Sequence, residues 1–340
     1  MKEANSRELV KKTLEFDNPS RVPRQCWLLP WAGKRYPEEA SRLASIYPDD
    51  IIPVPGMYTL PQKAVGNRYD EGFYTDDWGC TFLNIQAGLI GVPTKPLIET
   101  WEQLDDFTTP SWMLSVDREQ VRAFTSRSGK FTYSNSWIRP FERYQFIRTT
   151  ELAMLDVALD SPEMKELIDR IHSHYIRETE AWADSDVDAI GIMDDWGMQN
   201  GMIVSPDYFR KYYKPLYRDY AEIAHSRGKY AFMHSDGNIS EIIPDLIEVG
   251  IDAINSQLFC MDIEEIGSKY AGKITFWGEI DRQDILPNGG DKEIIDAVDR
   301  VHDNLFRNGG VIAQCEFGPA AKPENIFRVF EAWNKKLKTS

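Results

Sequence analysis

The chain has 340 residues, 42% of them hydrophobic and 27% charged, so it is long enough to bury a sizeable core in one large domain or two small ones. Its formal net charge of −15 argues against nucleic acid or an anionic membrane surface as the main partner. No apolar stretch approaches the roughly 20 residues that a bilayer-spanning helix needs.

The N-terminus and the cysteines indicate the compartment. The segment from Met1 to Ser6 is polar and runs into a predicted helix, so we expect no signal peptide. The cysteines are scattered without CxxC spacing, which predicts reduced thiols instead of a disulfide framework; they are Cys26, Cys80, Cys260 and Cys315. We therefore expect a cytoplasmic protein.

Eight short apolar segments are predicted as strands, and most are followed by a helical pattern. They span residues 24–29, 50–54, 130–134, 188–193, 229–233, 252–255, 273–277 and 310–314. Residues 162–183 and 207–224 have apolar residues at helical spacing, and Ser205-Pro206-Asp207 is a typical helix start. Strand and helix alternating eight times predicts a (β/α)₈ TIM barrel of class α/β, formed by a single domain over residues 1–340.

Two features qualify this fold prediction. A doubly wound open sheet is the alternative, but no glycine-rich GxGxxG or GxxxxGK[ST] loop follows any predicted strand. Residues 72–95 do not fit the alternation of strand and helix. They are predicted to form a hairpin insertion between the second and third barrel strands.

Two potential metal ligands come just where apolar strands end. His234 follows the strand at 229–233, and Cys315 follows the strand at 310–314. Because the carboxyl ends of parallel barrel strands share one face, the imidazole and the thiolate are expected to meet there, and zinc favours such ligands. The alternative for this pair is a core histidine and a buried free thiol.

Carboxylates at other strand ends offer a third ligand and a base. Asp194 and Asp195 are candidate catalytic residues, either as a general base or as partners of the histidine; helix capping is the alternative. Glu279 is the first choice for the third zinc ligand, although it is also explained as a surface acid. Asp236, two residues after His234 and on the same side of an extended chain, competes with it.

Aromatic and amide side chains at the same strand ends predict a pocket with a flat apolar wall and several polar groups. The candidate substrate-binding residues are Trp31, Trp137, Trp196, Asp236 and Gln257. Core packing explains any single tryptophan equally well. With so many acids nearby, we expect a neutral or singly charged small molecule as substrate.

Several of these segments resemble motifs of the uroporphyrinogen decarboxylase family over nearly the whole chain. The segment RQCWLLPWAGKRYPEE at residues 24–39 looks like the family's N-terminal RQAGR region. The block from Asp194 to Gly197, followed by Ser205-Pro206-Asp207, resembles the region after the fourth strand. Three further segments match family blocks: His234-Ser235-Asp236-Gly237-Asn238, Gly278-Glu279-Ile280-Asp281 and Pro323-Glu324-Asn325. The resemblance implies the same barrel fold.

Departures from the family pattern favour its zinc-dependent methyltransferase branch. Where decarboxylases hold the porphyrinogen with arginines, this chain has Trp31 and Lys34, and Cys315 replaces a histidine after the eighth strand. Methyltransferases similar to this fold carry an HxC motif and a later cysteine. Here Asp236 stands in place of the first cysteine, so the third ligand stays open between Glu279 and Asp236.

The resemblance therefore implies a cytoplasmic zinc enzyme that moves a methyl group between a small substrate and a corrinoid cofactor carried by a partner protein. His234, Cys315 and Glu279 would bind zinc, and Asp194 or Asp195 would orient the substrate. One alternative is uroporphyrinogen decarboxylase itself, a metal-free carboxy-lyase, although Arg24, Lys34, Arg35 and Arg139 are few cations for its substrate. Another is a barrel that only binds a ligand or partner.

Overall fold

The computed structural model describes residues 5–136 and 138–336. Eight strands form one parallel sheet, and we number them along the chain. They are β1 (Arg24–Leu28), β2 (Ile51–Pro53), β3 (Phe131–Tyr133), β4 (Ala189–Met193), β5 (Tyr230–Ser235), β6 (Ala253–Ser256), β7 (Thr275–Trp277) and β8 (Val311–Phe317).

The sheet curves into a nearly closed barrel. Each strand from β2 to β7 pairs with the next along the chain, and β8 also pairs with β1. Between β1 and β2, the backbone N–H of Asp50 donates to the carbonyl of Arg24 at 2.9 Å, and the Gln25 side chain donates to the Ile51 carbonyl at 3.1 Å. The predicted (β/α)₈ TIM barrel is confirmed, and every predicted strand overlaps an observed one.

Helices surround the barrel. The main ones are Ser6–Leu14, Pro30–Arg35, Pro37–Ile46, Arg118–Ser128, Pro140–Arg148, Thr150–Leu159, Pro162–Ala183, Lys214–Ser226, Ile243–Glu248, Ile263–Tyr270, Asp291–Leu305 and Pro323–Lys336. Shorter helical turns are Trp101–Leu104, Ser111–Leu114, Pro206–Tyr208, the π-turn Phe209–Tyr213, Leu258–Cys260 and Ile285–Asn288. Ser205 caps its helix as predicted, since its hydroxyl accepts from the N–H of Tyr208 at 3.2 Å. Within the described ranges, no helix combines the length and apolar character needed to cross a membrane.

Strand alternation divides the apolar side chains between two cores. The barrel interior holds inward-facing residues of the strands together with the first helix, among them Phe131, Phe232, Trp277 and Ile312. The larger core lies between the outer face of the barrel and the helices, and contains Val311, Ala313 and Phe317 from β8. In each strand, residues two apart therefore face the same core.

The predicted insertion is present between β2 and β3. It is a small antiparallel sheet of Gly72–Thr75, Thr81–Asn84 and Val92–Pro93, in which Gly72 pairs with Asn84 and Thr75 with Thr81. Its turn at Gly88 packs tightly on the helix that follows β1, because a Cβ there would lie 2.6 Å from the Trp31 backbone. The insertion is thereby held beside the carboxyl ends of the strands.

Candidate functional site

Three potential metal ligands converge at the carboxyl ends of β4 and β5. Ligand atoms of Asp195, His234 and Asp236 all lie within 4.8 Å of one another. The Nε2 atom of His234 is 3.6 Å from Asp195 Oδ1 and 3.5 Å from Asp236 Oδ1. We call these three residues the His–Asp–Asp cluster.

His234 is held in one orientation by the neighbouring strand. Its Nδ1 lies 2.6 Å from Oδ1 of Asn255 in β6, whose amide nitrogen donates to the carbonyl of Trp277 at 2.6 Å. Because the amide nitrogen donates, Oδ1 must be the acceptor, so the proton of neutral His234 sits on Nδ1. The ring of Trp27 packs against the imidazole, with centroids 5.0 Å apart. The lone pair on Nε2 is thereby aimed at the two aspartates.

The unprotonated Nε2 of His234 faces carboxylate oxygens of Asp195 and Asp236, so three acceptor atoms lie close together with no hydrogen bond from Nε2 between them. A proton on Nε2 would face carboxylate oxygens at 3.5 and 3.6 Å, beyond the usual N–H···O range of about 2.7–3.2 Å. In the described part of the chain, the Asp236 Oδ1 atom is buried and accepts no hydrogen bond. A cation placed between the three atoms would satisfy them all.

An arginine links the cluster to two further acids. Arg282 Nη2 donates to Asp236 Oδ2 at 2.5 Å, while its other nitrogens lie 3.2 Å from Glu316 and 3.4 Å from Glu279. Burial raises the pKa of Glu279 well above its ordinary value, and burial also raises the pKa of Glu316. Arg282 thus neutralises part of the negative charge and holds the outer oxygen of Asp236.

Glycines shape the two loops that carry these side chains. Gly237 has φ of +77°, and a Cβ there would meet the Gly197 carbonyl carbon at 2.2 Å. Gly278, at φ +56°, turns the chain after β7 over Gln314 of β8, with only 2.5 Å available to a Cβ. Any side chain at either position would displace the loop that carries Asp236 or Arg282.

Cys315 lies on the other face of the barrel wall. β8 continues to Phe317, two residues beyond the cysteine expected to follow the strand, so Cys315 is inside the strand and points outward with Ala313. It pairs in register with Cys26, and a thiol–thiol hydrogen bond with that residue, followed by burial, raises the Cys315 pKa well above its ordinary value. A thiol held protonated is a poor zinc ligand.

The metal set expected from the sequence is therefore not assembled. Within residues 5–136 and 138–336, the group of metal-ligating atoms that comes together consists of Asp195, His234 and Asp236, without Cys315 or Glu279. Alternation along β8 explains the difference, since Glu316 and not Cys315 points to the mouth. Asp236, the competing ligand, is the residue that the structure brings to His234.

Asp194 caps a helix. Its oxygens accept from the backbone N–H groups of Phe141 at 2.9 Å and Glu142 at 2.7 Å, at the start of Pro140–Arg148, and from the Tyr217 hydroxyl at 2.5 Å. Burial raises its pKa to about 7. Adjacent residues of an extended chain point in opposite directions. The side chain of Asp195 therefore lies at the carboxyl-end opening of the barrel, while that of Asp194 points to the helices outside it.

The predicted substrate-binding residues have different surroundings. Trp196 is fully buried in the outer core, stacked on Phe141 with centroids 4.2 Å apart. Trp31 is half-buried in its helix under the insertion. Gln257 lies at the mouth, where its side-chain oxygen accepts from the Gly237 N–H at 3.0 Å. Trp137 lies outside the described residues.

A large cleft opens between the insertion and the end of β3. Its volume is about 1130 Å³ including the open space at its entrance, and Asn135 is one of its lining residues. Its aromatic walls come from Tyr58, Tyr74, Trp78, Phe82, Trp112, Phe146 and Tyr175, and its cationic groups are Arg68, Arg139 and Arg143. The sequence indicated Arg139 as a cation near the strand ends. It did not indicate Arg68 and Arg143 as site residues, because they lie outside the ends of the predicted strands.

The sequence carried only part of the signal for the residues around His234. Asn255 was visible as a polar residue ending an apolar strand, but its contact with His234 depends on the pairing of β5 with β6. Arg282 follows Glu279 by three residues, a weak signal by itself. Trp27 lies on the same face of β1 as Gln25, two residues earlier, and the sequence does not distinguish the inward face of this strand from the outward one.

Comparison with known proteins supports the fold and identifies the family. The methyltransferase from Methanosarcina mazei has a similar structure, with a TM-score of 0.69 and 15% sequence identity over 98% of this chain and 99% of that chain. At this identity the likeness establishes a shared fold. None of the curated protein sequences matches this chain.

Two other structures are more distant. A dihydropteroate synthase from Anaplasma phagocytophilum has a TM-score of 0.38 and 18% identity, covering 52% of this chain and 70% of that chain. A B12-independent methionine synthase from Shewanella sp. W3-18-1 has a TM-score of 0.43 and 11% identity over 66% of each chain. Neither score supports an inference.

The family assignment comes from the sequence. The family model described as uroporphyrinogen decarboxylase (URO-D) matches residues 136–336, which is more than half of the chain. This region contains the His–Asp–Asp cluster, Asn255 and Arg282. The protein belongs to the uroporphyrinogen decarboxylase family.

Proposed function

We propose that this protein is a zinc-dependent methyltransferase, acting in the cytoplasm, that moves a methyl group between a small substrate and a corrinoid cofactor carried by a partner protein. The observation that supports it most is the His–Asp–Asp cluster at the carboxyl ends of the barrel strands, where enzymes of this fold place their chemistry. The fold shared with the methyltransferase from Methanosarcina mazei is compatible with this proposal.

The donor set fits zinc in number and spacing. Zinc binds histidine nitrogen and carboxylate oxygen at about 2.0–2.2 Å, so tetrahedral donors lie about 3.4 Å apart. The separations of 3.5 and 3.6 Å from His234 Nε2 agree with that value. Three protein ligands leave a fourth position for substrate, as is typical of catalytic zinc. We therefore propose Asp195 and Asp236 as ligands in place of Cys315 and Glu279.

Each residue around the metal position has a task of its own. Zinc bound there would supply a Lewis acid for the substrate atom that carries or receives the methyl group. Asn255 keeps the proton on His234 Nδ1, and thereby keeps Nε2 available as a ligand. Arg282 offsets the charge of Asp236 and holds its outer oxygen. The side chains of Asp195 and Asp236 are 36% and 32% exposed, so a substrate or a corrinoid can approach the cluster.

Zinc content of purified variants tests the ligand assignment. Asp195→Asn, His234→Gln and Asp236→Asn should each lower bound zinc from about one per chain to well below half, because each removes a ligand. Cys315→Ala and Glu279→Gln are the controls and should retain zinc. Full zinc content in all three ligand variants, or its loss in Cys315→Ala alone, would reject the assignment.

Methyl transfer is tested separately with the whole protein. Zinc-loaded protein should accelerate demethylation of free methylcobalamin by a small thiol, or methylation of cob(I)alamin by a methylated donor, followed by the corrinoid absorbance. His234→Gln should abolish the acceleration. Absence of both reactions with zinc-loaded protein and its native corrinoid partner would contradict the proposed function.

Uroporphyrinogen decarboxylation is the second candidate, because Arg68, Arg139 and Arg143 all line the cleft. Such cations are what a substrate with several carboxylates requires. Carbon dioxide release from uroporphyrinogen by metal-free protein, at an ordinary enzymatic rate on the order of 1 per second, would favour this activity. We expect no such release, since Arg143 is already bound to Asp76 at 2.5 Å.

A further inference from the structure

The cleft beside the insertion is built to hold a flat ring. Tyr58 and Trp112 meet edge to face with centroids 4.7 Å apart, and Trp78 and Phe146 flank the guanidinium of Arg143 at 4.7 and 5.3 Å. Aromatic walls of this kind favour planar aromatic ligands over flexible polar ones.

Three arginines line the cleft, and Arg139 among them lies 3.6 Å from the carboxyl of Glu142. Arg143 is paired with Asp76, and Asp77 accepts backbone N–H groups from Lys63 and Ala64. Arg68 is half-buried in the insertion, and no ion pair links it to a carboxylate anywhere in residues 5–136 and 138–336. Arg68 is therefore the guanidinium that the carboxylate of an anionic ligand would bind.

Arg139 connects the lining of the cleft to β4, the strand beside the one that carries His234. Arg139 lines the cleft, and its Nη2 lies 3.0 Å from the sulfur of Met193, the last residue of β4. Met193 is the register partner of His234 in β5. Arg68 belongs to the insertion, whereas Arg139 lies on the segment between β3 and the next helix. A ligand that binds Arg68 and spans the cleft to Arg139 would therefore point toward the strands that carry the cluster.

We propose that the cleft binds an aromatic monocarboxylic acid of benzoate size, with its carboxylate on Arg68 and its ring between the aromatic walls. The identity of this molecule as the methyl-transfer substrate rests on the proposed function; its binding in the cleft does not. The aromatic walls disfavour ligands that are only an anion, and the carboxylates of Asp76 and Asp77 in the lining disfavour polyanions.

Binding without the corrinoid partner tests the proposal. Isothermal titration of the full chain with 4-methoxybenzoate should show affinity about ten-fold or more above that for the neutral 4-methoxybenzamide, because a charge-assisted contact is lost in the amide. Arg68→Gln should reduce this ratio to about two-fold or less, and Arg68→Lys should restore part of it. The control Arg127→Gln, which changes an exposed arginine on the helix Arg118–Ser128, should keep the wild-type ratio.

Other outcomes separate this proposal from the proposed function. Equal affinity for acid and amide in folded wild-type protein would overturn it, and so would inorganic phosphate competing as well as the aromatic acid. Carboxylate preference without any methyl transfer would uphold the cleft assignment while rejecting the methyltransferase. Methyl transfer from neutral donors, with no binding preference for the acid, would support the methyltransferase activity and reject the cleft assignment.

Discussion

The imidazole Nδ1 of His234 and the side-chain oxygen of Asn255 lie 2.6 Å apart, across the pairing of β5 with β6. Asn255 is itself fixed by the carbonyl of Trp277 in β7. Three consecutive strands thus determine which nitrogen of His234 carries the proton and which faces Asp195 and Asp236. The orientation of the proposed metal ligand is a property of the barrel wall and not of a flexible loop.

Asn255→Ala should weaken zinc binding by about 10- to 100-fold while keeping His234, because the ring loses the partner that sets its tautomer. Ser256→Ala is the matched control, since it changes the next residue of the same strand, whose buried hydroxyl has no hydrogen-bond partner in the described structure. Competition with a chelator of known affinity measures both. Equal zinc affinity in Asn255→Ala and wild type would show that the hydrogen bond does not support the site.

Asp194→Ala should destabilise the protein without removing zinc. The aspartate caps the helix Pro140–Arg148 and accepts from Tyr217, so its loss should lower the free energy of unfolding by about 1–3 kcal/mol. Asp195→Ala should show the opposite pattern, with little loss of stability and reduced zinc content. Urea denaturation and metal analysis distinguish the two roles. Zinc loss in Asp194→Ala without a change in the free energy of unfolding would show that Asp194 acts in metal binding and not in helix capping.

Arg282→Ala should be destabilising, by about 1–3 kcal/mol, because it removes the hydrogen bonds that the guanidinium donates to Asp236 and Glu316 and leaves the buried carboxyl of Glu279 without its neighbour. The side chain of Glu279 is only 4% exposed, so water cannot replace the arginine there. The double variant Arg282→Met with Glu279→Gln should recover a large part of the loss, as measured by urea denaturation. No recovery in the double variant would indicate that the arginine acts through packing alone.

The buried carboxyl of Glu142 should make the protein less stable as pH rises. Burial raises its pKa to about 8, with Arg139 opposing the shift from 3.6 Å, so the folded state binds this proton more tightly than the unfolded chain does. Its contribution is fully present below a pH of about 4.5 and is lost as pH rises to about 8, by at most about 1.4 kcal/mol per pH unit. Asp194 acts in the same direction up to a pH of about 7.

Unfolding free energies of wild type and Glu142→Gln between pH 4.5 and 8.5 test this prediction. The variant should show a shallower decline, because its amide has no proton to lose, although Asp194 continues to contribute. Glu119→Gln, on the exposed surface of Arg118–Ser128, is the control and should follow the wild-type curve. Parallel curves for wild type and Glu142→Gln would refute the buried carboxyl as the source.

The sequence by itself determined the barrel. Each predicted strand overlaps an observed one, the helix Pro162–Ala183 was predicted at both ends, and the insertion was placed between the correct strands. These features depend on local periodicity and turn residues, which a single sequence displays directly. The family motifs around His234, Glu279 and the closing PEN segment are equally local.

Only the tertiary structure decided which side chains share the mouth. Neighbouring residues of a strand point to opposite faces. Because β8 includes Cys315 and Glu316, the Cys315 side chain points out of the barrel and the Glu316 side chain points toward the opening at the strand ends. Asp194 and Asp195 separate for the same reason. The contacts of His234 with Asn255, and of Asp236 with Arg282, join residues 21 and 46 positions apart. Such pairs depend on strand order and loop curvature, which no local pattern of residues encodes.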